Sequence, residues 1–170
     1  IDSANGWLFV DSGTASKVED VVAALSRALP DVSIKRLRTN QAPSSCMTNW
    51  ISCADTVPSS FTVDMDAELR AVDDSGAKVR HVSRALDGSD TAEQITSGMM
   101  AYKLGMTWQD RVSFVLDAAG RIKRLHFLDI VKDSADEAES AEEQMAIDFT
   151  IMTGKVAALI DDLVDALGGE

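Results

Sequence analysis

The chain has 170 residues, 45% of them apolar and 26% charged, which is enough to bury one sizeable core and excludes disorder as the default state. Its formal net charge of −12 argues against a uniformly cationic surface of the kind that nucleic acid attracts. No apolar run reaches the roughly 18 residues that a membrane-spanning helix needs, and Ile1-Asp2-Ser3-Ala4-Asn5-Gly6 lacks the basic start and apolar middle of a secretory signal, so a soluble, cytoplasmic protein with no membrane partner is expected.

Ile1 is not an initiator methionine, and the chain opens almost directly into the strand-like run Trp7-Leu8-Phe9-Val10, so it is expected to be part of a longer protein. That run, closed by Ser12-Gly13-Thr14, predicts a buried strand. Ser16 and Glu19 form a capping-box pair, and Val18, Val21, Val22, Leu25 and Leu29 recur at helical spacing until Pro30 stops the helix. Val32, Ile34 and Leu37 suggest a second strand, so the opening reads β-α-β, a unit able to set its strands side by side in parallel.

After a polar stretch over residues 41–45, Met47, Trp50 and Ile51 mark one face of a short helix. Residues 61–72 alternate apolar and polar, the turn Asp73-Asp74-Ser75-Gly76 follows, and residues 78–82 complete a hairpin. Ser89 or Asp90 can cap a helix running to about Met100, and residues 102–108 return to strand. Residues 112–116, the turn Asp117-Ala118-Ala119-Gly120 and residues 122–127 form the clearest hairpin. Residues 133–143 are acidic and alanine-rich with almost nothing apolar to bury, which predicts an exposed helix or a mobile connection. Met145, Phe149, Met152, Val156, Leu159, Ile160, Leu163 and Leu167 then make a continuous stripe on the longest helix, closed by Gly168-Gly169. Such a stripe packs on the chain's own core or, at a chain end, on a partner.

Charge is segregated along the chain. Residues 129–170 hold twelve acids against Lys132 and Lys155, whereas residues 77–128 hold eight bases against five acids. Lys78, Arg80 and Arg84 share strand parity and project from one side of a sheet while the strand stays regular; Arg121 and Lys123 do the same on the later hairpin. This basic middle is either a surface that meets an anion or scattered solubilising charge. Aromatics at 5% disfavour recognition of single strands by base stacking relative to contact with duplex phosphates.

Little in the sequence points to catalysis. Cys46 and Cys53 are the only cysteines, and His81 and His126 lie far apart, so no zinc-ligand spacing exists and two free thiols are expected. Asp11-Ser12-Gly13-Thr14 has one glycine and no lysine at P-loop spacing, which favours a strand-to-helix turn over a phosphate loop. Neither histidine has a Ser or Cys nearby in a nucleophile motif. Asp161, Asp162 and Asp165 fit the solvated face of an amphipathic helix better than an acid–base pair or a metal site.

Several segments nevertheless form an ordered set. They are Ile1-Asp2 with Asn5-Gly6, Val10-Asp11-Ser12, Glu19-Asp20, Thr48-Asn49-Trp50-Ile51, Ala67-Glu68-Leu69, and Lys103-Leu104 through Trp108-Gln109 with Val112-Ser113-Phe114. Lys123-Arg124-Leu125-His126-Phe127 follows, then the most specific run, from Asp148-Phe149-Thr150-Ile151-Met152-Thr153-Gly154 to Leu167-Gly168-Gly169-Glu170. Together they resemble the C-terminal half of the RdgC family of recombination-associated proteins. The resemblance implies a homodimer closed into a ring, with duplex DNA passing through a positively lined hole and bound without sequence preference. It also implies restraint of RecA-promoted strand exchange, with no metal, cofactor or catalytic residue. Two departures stand out. After Arg80 the family has a lysine-lysine-glutamine-aspartate-leucine run where this chain has Val82-Ser83-Arg84-Ala85-Leu86, so one or two positive charges are missing and Arg84 partly compensates. The family's N-terminal half is also absent.

The expectation is an α+β fold, an antiparallel-rich mixed sheet with helices on one face and a long C-terminal helix, with a mixed core over residues 1–128 and an acidic helical region over 129–170. Arg80, Arg84, Lys103, Arg111, Lys123 and Arg124 are the candidate phosphate contacts of a nucleoid-associated, non-enzymatic protein that binds double-stranded DNA. The alternative is a protein-interaction or dimerisation module whose acidic C-terminal region docks a basic partner without direct DNA contact.

Overall fold

The computed structural model describes residues 1–3, 5–73, 75–83, 86, 88–128 and 140–170. The chain divides into two compact units, residues 1–38 with Glu170, and residues 39–169.

In the first unit the helical spacing yields helix α1 (Ala15–Ala28), but the apolar runs on either side do not become strands. A strand must pair its backbone N–H and C=O groups, and the only pairing among the described residues of this unit is a single antiparallel bridge between Asp2 and Trp7. The expected β-α-β opening is therefore not formed there. Nor is the capping box: the helix starts one residue before Ser16, with Thr14 at its N-cap making no side-chain cap bond. The Ser12 hydroxyl instead accepts the Thr14 N–H at 3.2 Å.

The second unit carries helix α2 (Pro43–Ser52), a short 3₁₀ turn (Ala54–Thr56), strands β1 (Phe61–Ala71) and β2 (Lys78–His81), and helix α3 (Ser89–Thr96). Strands β3 (Met99–Trp108), β4 (Val112–Asp117) and β5 (Ile122–Phe127) and helix α4 (Ala141–Ala166) complete it. The five strands form one sheet in the order β2-β1-β3-β4-β5, with every pairing antiparallel. This is the expected α+β architecture. Helix α3 ends earlier than its sequence suggests, because Gly98 turns the chain at φ 94° and Met99 and Met100 join β3. The expectation for residues 133–143 falls mostly outside the described residues; within them, the Ser140 hydroxyl caps α4 by accepting the Glu143 N–H at 3.1 Å.

The inner face of the sheet packs Leu69, Leu104, Met106, Phe114 and Leu116 against Met47 and Trp50 of α2 and Leu159 and Leu163 of α4. Each such side chain contributes about 1.5–3 kcal/mol when fully buried. Polar bonds fix the helices on this core. The Thr48 hydroxyl donates to the Ser44 carbonyl at 2.7 Å and accepts the Ala101 N–H at 2.9 Å, tying α2 to β3. The Trp108 indole N–H donates to Asp162 at 2.7 Å, tying α4 to the end of the same strand. Where α4 stops, Gln41 N–H bonds the Leu167 carbonyl and Asn40 N–H the Gly169 carbonyl, so the chain entering α2 caps the end of α4. Only the C-terminal part of the α4 stripe reaches the core: exposure falls from 74% at Met145 and 67% at Phe149 to zero at Leu159. Cys46 is buried, Cys53 is exposed, and both are free thiols; burial pushes the Cys46 thiol pKa up. Among the described residues no helix is long and apolar enough to cross a membrane.

Candidate nucleic-acid interface

Side chains alternate across a strand, so the face opposite the core collects the polar parity. The register then aligns it. Arg80 of β2 lies opposite Glu68 of β1, Glu68 opposite Lys103 of β3, and Lys103 opposite Asp117 of β4. Lys123 of β5 reaches the same Asp117 at 3.0 Å. The result is a row across all five strands in which positive and negative charges alternate. Arg70 and Lys78 face each other one pleat along, and Arg121, in the β4–β5 turn, reaches Asp117 at 2.8 Å. Six cations thus share this half of the face with two carboxylates, and four of them, Arg70, Lys103, Arg121 and Lys123, bind those carboxylates directly. The alternation has a physical reason: directly opposed side chains sit about 4.5–5.5 Å apart, where like charges destabilise a sheet. Within the row an acid between neighbouring cations removes that repulsion, while in the directly opposed pair Arg70 and Lys78 the Arg70 head is drawn to Glu68 instead; the basic half of the face stays net positive.

The two acids lie beneath the cations. Glu68, its side chain 14% exposed, accepts from Arg70 Nε at 2.8 Å and Nη2 at 2.6 Å and from Lys103 Nζ at 2.7 Å. The Lys103 bond, helped by Arg70 and opposed by burial, holds the Glu68 carboxyl below the usual carboxylate range. Asp117, 1% exposed, accepts the Ala119 and Arg121 backbone N–H groups at 3.0 and 3.1 Å as well as Arg121 Nε and Lys123 Nζ. Burial pushes its pKa up, but Lys123, the two backbone donors and the Arg121 guanidinium together outweigh that and lower it. Tyr102 sits at the β1–β3 register shift, and the Arg70 guanidinium lies 3.3 Å from the centroid of its ring.

The other end of the face is acidic and tightly built. Asp64 accepts the Thr107 hydroxyl at 3.0 Å, and Asp66 accepts the Ser83 N–H at 2.9 Å. Burial pushes the Asp64 pKa up, with Thr107 pulling against it and the Asp66 charge adding to it. Beneath them Gly105 is closely packed: a Cβ there would sit 3.2 Å from the Asp66 carbonyl oxygen, so a side chain would need that backbone to give by a few tenths of an ångström.

Of the six candidates from the sequence, Arg80, Lys103 and Lys123 come together on this face. Arg111 stands apart, in the turn after Trp108, where its N–H bonds the Trp108 carbonyl and Gln109 and Asp110 take positive φ values of 48° and 53°. Arg124 occupies an irregularity in β5, exposed, at φ 52°. Arg84 lies outside the described residues. Sequence reasoning missed Arg70 because it precedes the basic segment, and it missed the pairing of Glu68 and Asp117 because that depends on register. The available signals were the shared parity of Glu68 with Arg70 and the turn-starting position of Asp117.

Among the described residues no group of three or more His, Cys, Asp or Glu is placed to hold a metal ion. A family model described as "Putative exonuclease, RdgC" matches residues 1–170. Over 171 residues the chain is 42% identical to the recombination-associated protein RdgC of Paraburkholderia phymatum, 43% to that of Cupriavidus pinatubonensis and 42% to that of Janthinobacterium sp., with all of this chain covered each time. It covers 56% of the first and 57% of the other two, so the chain spans a little over half the length of the curated relatives it matches. With its whole length matched and about two residues in five shared with these relatives, the chain belongs to the RdgC family.

Proposed function

We propose that the protein containing this chain acts in DNA recombination by binding double-stranded DNA without sequence preference, and that the basic half of the outer sheet face makes part of the phosphate contact. The carrying observation is the row of Arg80, Lys103 and Lys123, flanked by Lys78, Arg70 and Arg121, in fixed register across five strands. Such contacts position a protein on the backbone and read no base. The Tyr102 ring supports a duplex over a single strand, because Arg70 already covers it and leaves that face closed to base stacking. For the whole protein the resemblance extends the proposal to a ring-shaped homodimer around the duplex, nucleoid-associated in the cytoplasm, that restrains RecA-promoted strand exchange.

The role is non-catalytic on this reading. It is supported by the state of the face's carboxylates, since Glu68 and Asp117 are each committed to two cations and Asp64 to the Thr107 hydroxyl. Incubating the full-length protein with end-labelled duplex and magnesium should release no nucleotide; processive shortening would contradict the non-catalytic role. The binding proposal is tested with Arg80→Gln and Lys123→Gln combined. Affinity should fall about equally for all duplex sequences, and the log–log salt slope should shrink by about 0.9 for each phosphate no longer neutralised. Unchanged affinity would remove both residues from the binding surface. The rival reading, an interaction module docking a basic partner, draws on the acidic α4 with Met145 and Phe149 exposed, and it predicts no salt-sensitive DNA binding.

A further inference from the structure

We infer that Glu68 and Asp117 are positioning residues of the outer face, holding Arg70, Lys103, Arg121 and Lys123 in a fixed array that meets phosphates without first having to order itself. The inference rests on the duplex-binding reading above. The carboxylates are 14% and 1% exposed, whereas the cations bound to them, Arg70, Lys103, Arg121 and Lys123, are 44%, 34%, 53% and 38% exposed. A polyanion approaching the sheet therefore meets the cations first.

The donor inventory agrees with this. A lysine ammonium has three N–H donors and an arginine guanidinium five. Lys103 places one bond on Glu68 and Lys123 one on Asp117; Arg70 gives Glu68 its Nε and Nη2, and Arg121 gives Asp117 its Nε side-chain donor. Each head is anchored from below and keeps further donors for a second acceptor. Arg70 is held twice, by Glu68 and by the Tyr102 ring. Long basic side chains carry the most rotamer freedom of any residue type, and a site that leaves them loose must freeze them on binding. Anchoring removes that cost from the encounter.

Simple electrostatics predicts the opposite sign. A carboxylate beneath a phosphate-binding surface repels phosphate, so neutralising it should tighten binding. Glu68 is the cleaner test, because Asp117 also caps the β4–β5 turn. The experiment measures the affinity of the full-length protein for a labelled mixed-sequence duplex across salt concentrations, for wild type, Glu68→Gln, Lys103→Gln and the double variant. Glu68→Gln should bind roughly three- to tenfold more weakly although it is one charge more positive, and it should cost less in the Lys103→Gln background. A residue that only stabilised the fold would show no such dependence on Lys103. Asp117→Asn, which keeps a turn-capping oxygen, should weaken binding in the same direction and serves if Glu68→Gln does not fold. Unchanged or tighter binding by the folded variants, beside a wild type that binds, would overturn the inference alone. A wild type that binds no duplex would overturn the duplex-binding reading and the inference with it.

Discussion

The bond between the Trp108 indole and Asp162 makes the docking of α4 measurable. Trp108 is 2% exposed and its N–H donates to Asp162 at 2.7 Å, where α4 crosses the end of β3. Replacing Asp162 by Ala leaves that donor in the core without this acceptor. A hydrogen bond to a charged group contributes about 1.5–3 kcal/mol, and a buried donor left unmade costs about 1–3 kcal/mol. The expected destabilisation is about 2 kcal/mol, or a fall in Tm of about 4–8 °C for a domain of this size. Asp162→Asn keeps an acceptor oxygen and should lose about half as much. In a Trp108→Phe background, which has no donor, the same Asp162→Ala change should cost little. Urea unfolding of the wild type and each variant, followed by far-UV circular dichroism, gives these three values. If Asp162→Ala stays within about 0.3 kcal/mol of wild type, the bond does not hold α4 on the sheet and the helix is docked by its apolar stripe alone.

Glu68 and Asp117 both titrate below the ordinary carboxylate range, so the stability they contribute is present in full above about pH 4–5, where the unfolded chain's acids are ionised, and is lost as pH falls through their lower folded-state values. Acid unfolding should accordingly be less steep in Glu68→Gln combined with Asp117→Asn; an unchanged acid limb in a pH titration of stability would contradict the pairing. Thr48→Val keeps the side-chain shape but leaves the Ala101 N–H without the hydroxyl at 2.9 Å, and chemical denaturation should show a loss of about 1–3 kcal/mol.

Local pattern carried much of the fold. The meander β3-β4-β5 and the β1-β2 hairpin follow from alternation and turn residues, because antiparallel neighbours joined by short turns need no distant information. The two apolar runs flanking α1 misled for the complementary reason: apolar content makes a segment able to pair, but a strand exists only where a partner edge is available. The start of β3 reads as helix in the sequence because the two methionines after Gly98 fit either period. At the face, strand parity groups Arg80 with Lys78 and Lys123 with Arg121, and the run 102–108 puts Lys103 on a strand, but the interleaving of Glu68 and Asp117 joins residues up to 35 positions apart and emerges only once register is set. Arg124 escaped the parity rule because β5 shifts register beside it.

The role of the outer face is decided by titrating a short labelled duplex at several salt concentrations, with residues 1–170 and with the full-length protein. Both should bind duplexes of any sequence, with log–log salt slopes near −0.9 per phosphate neutralised. Binding by the full-length protein alone, or by neither, would contradict the claim that the outer face of this sheet contacts DNA.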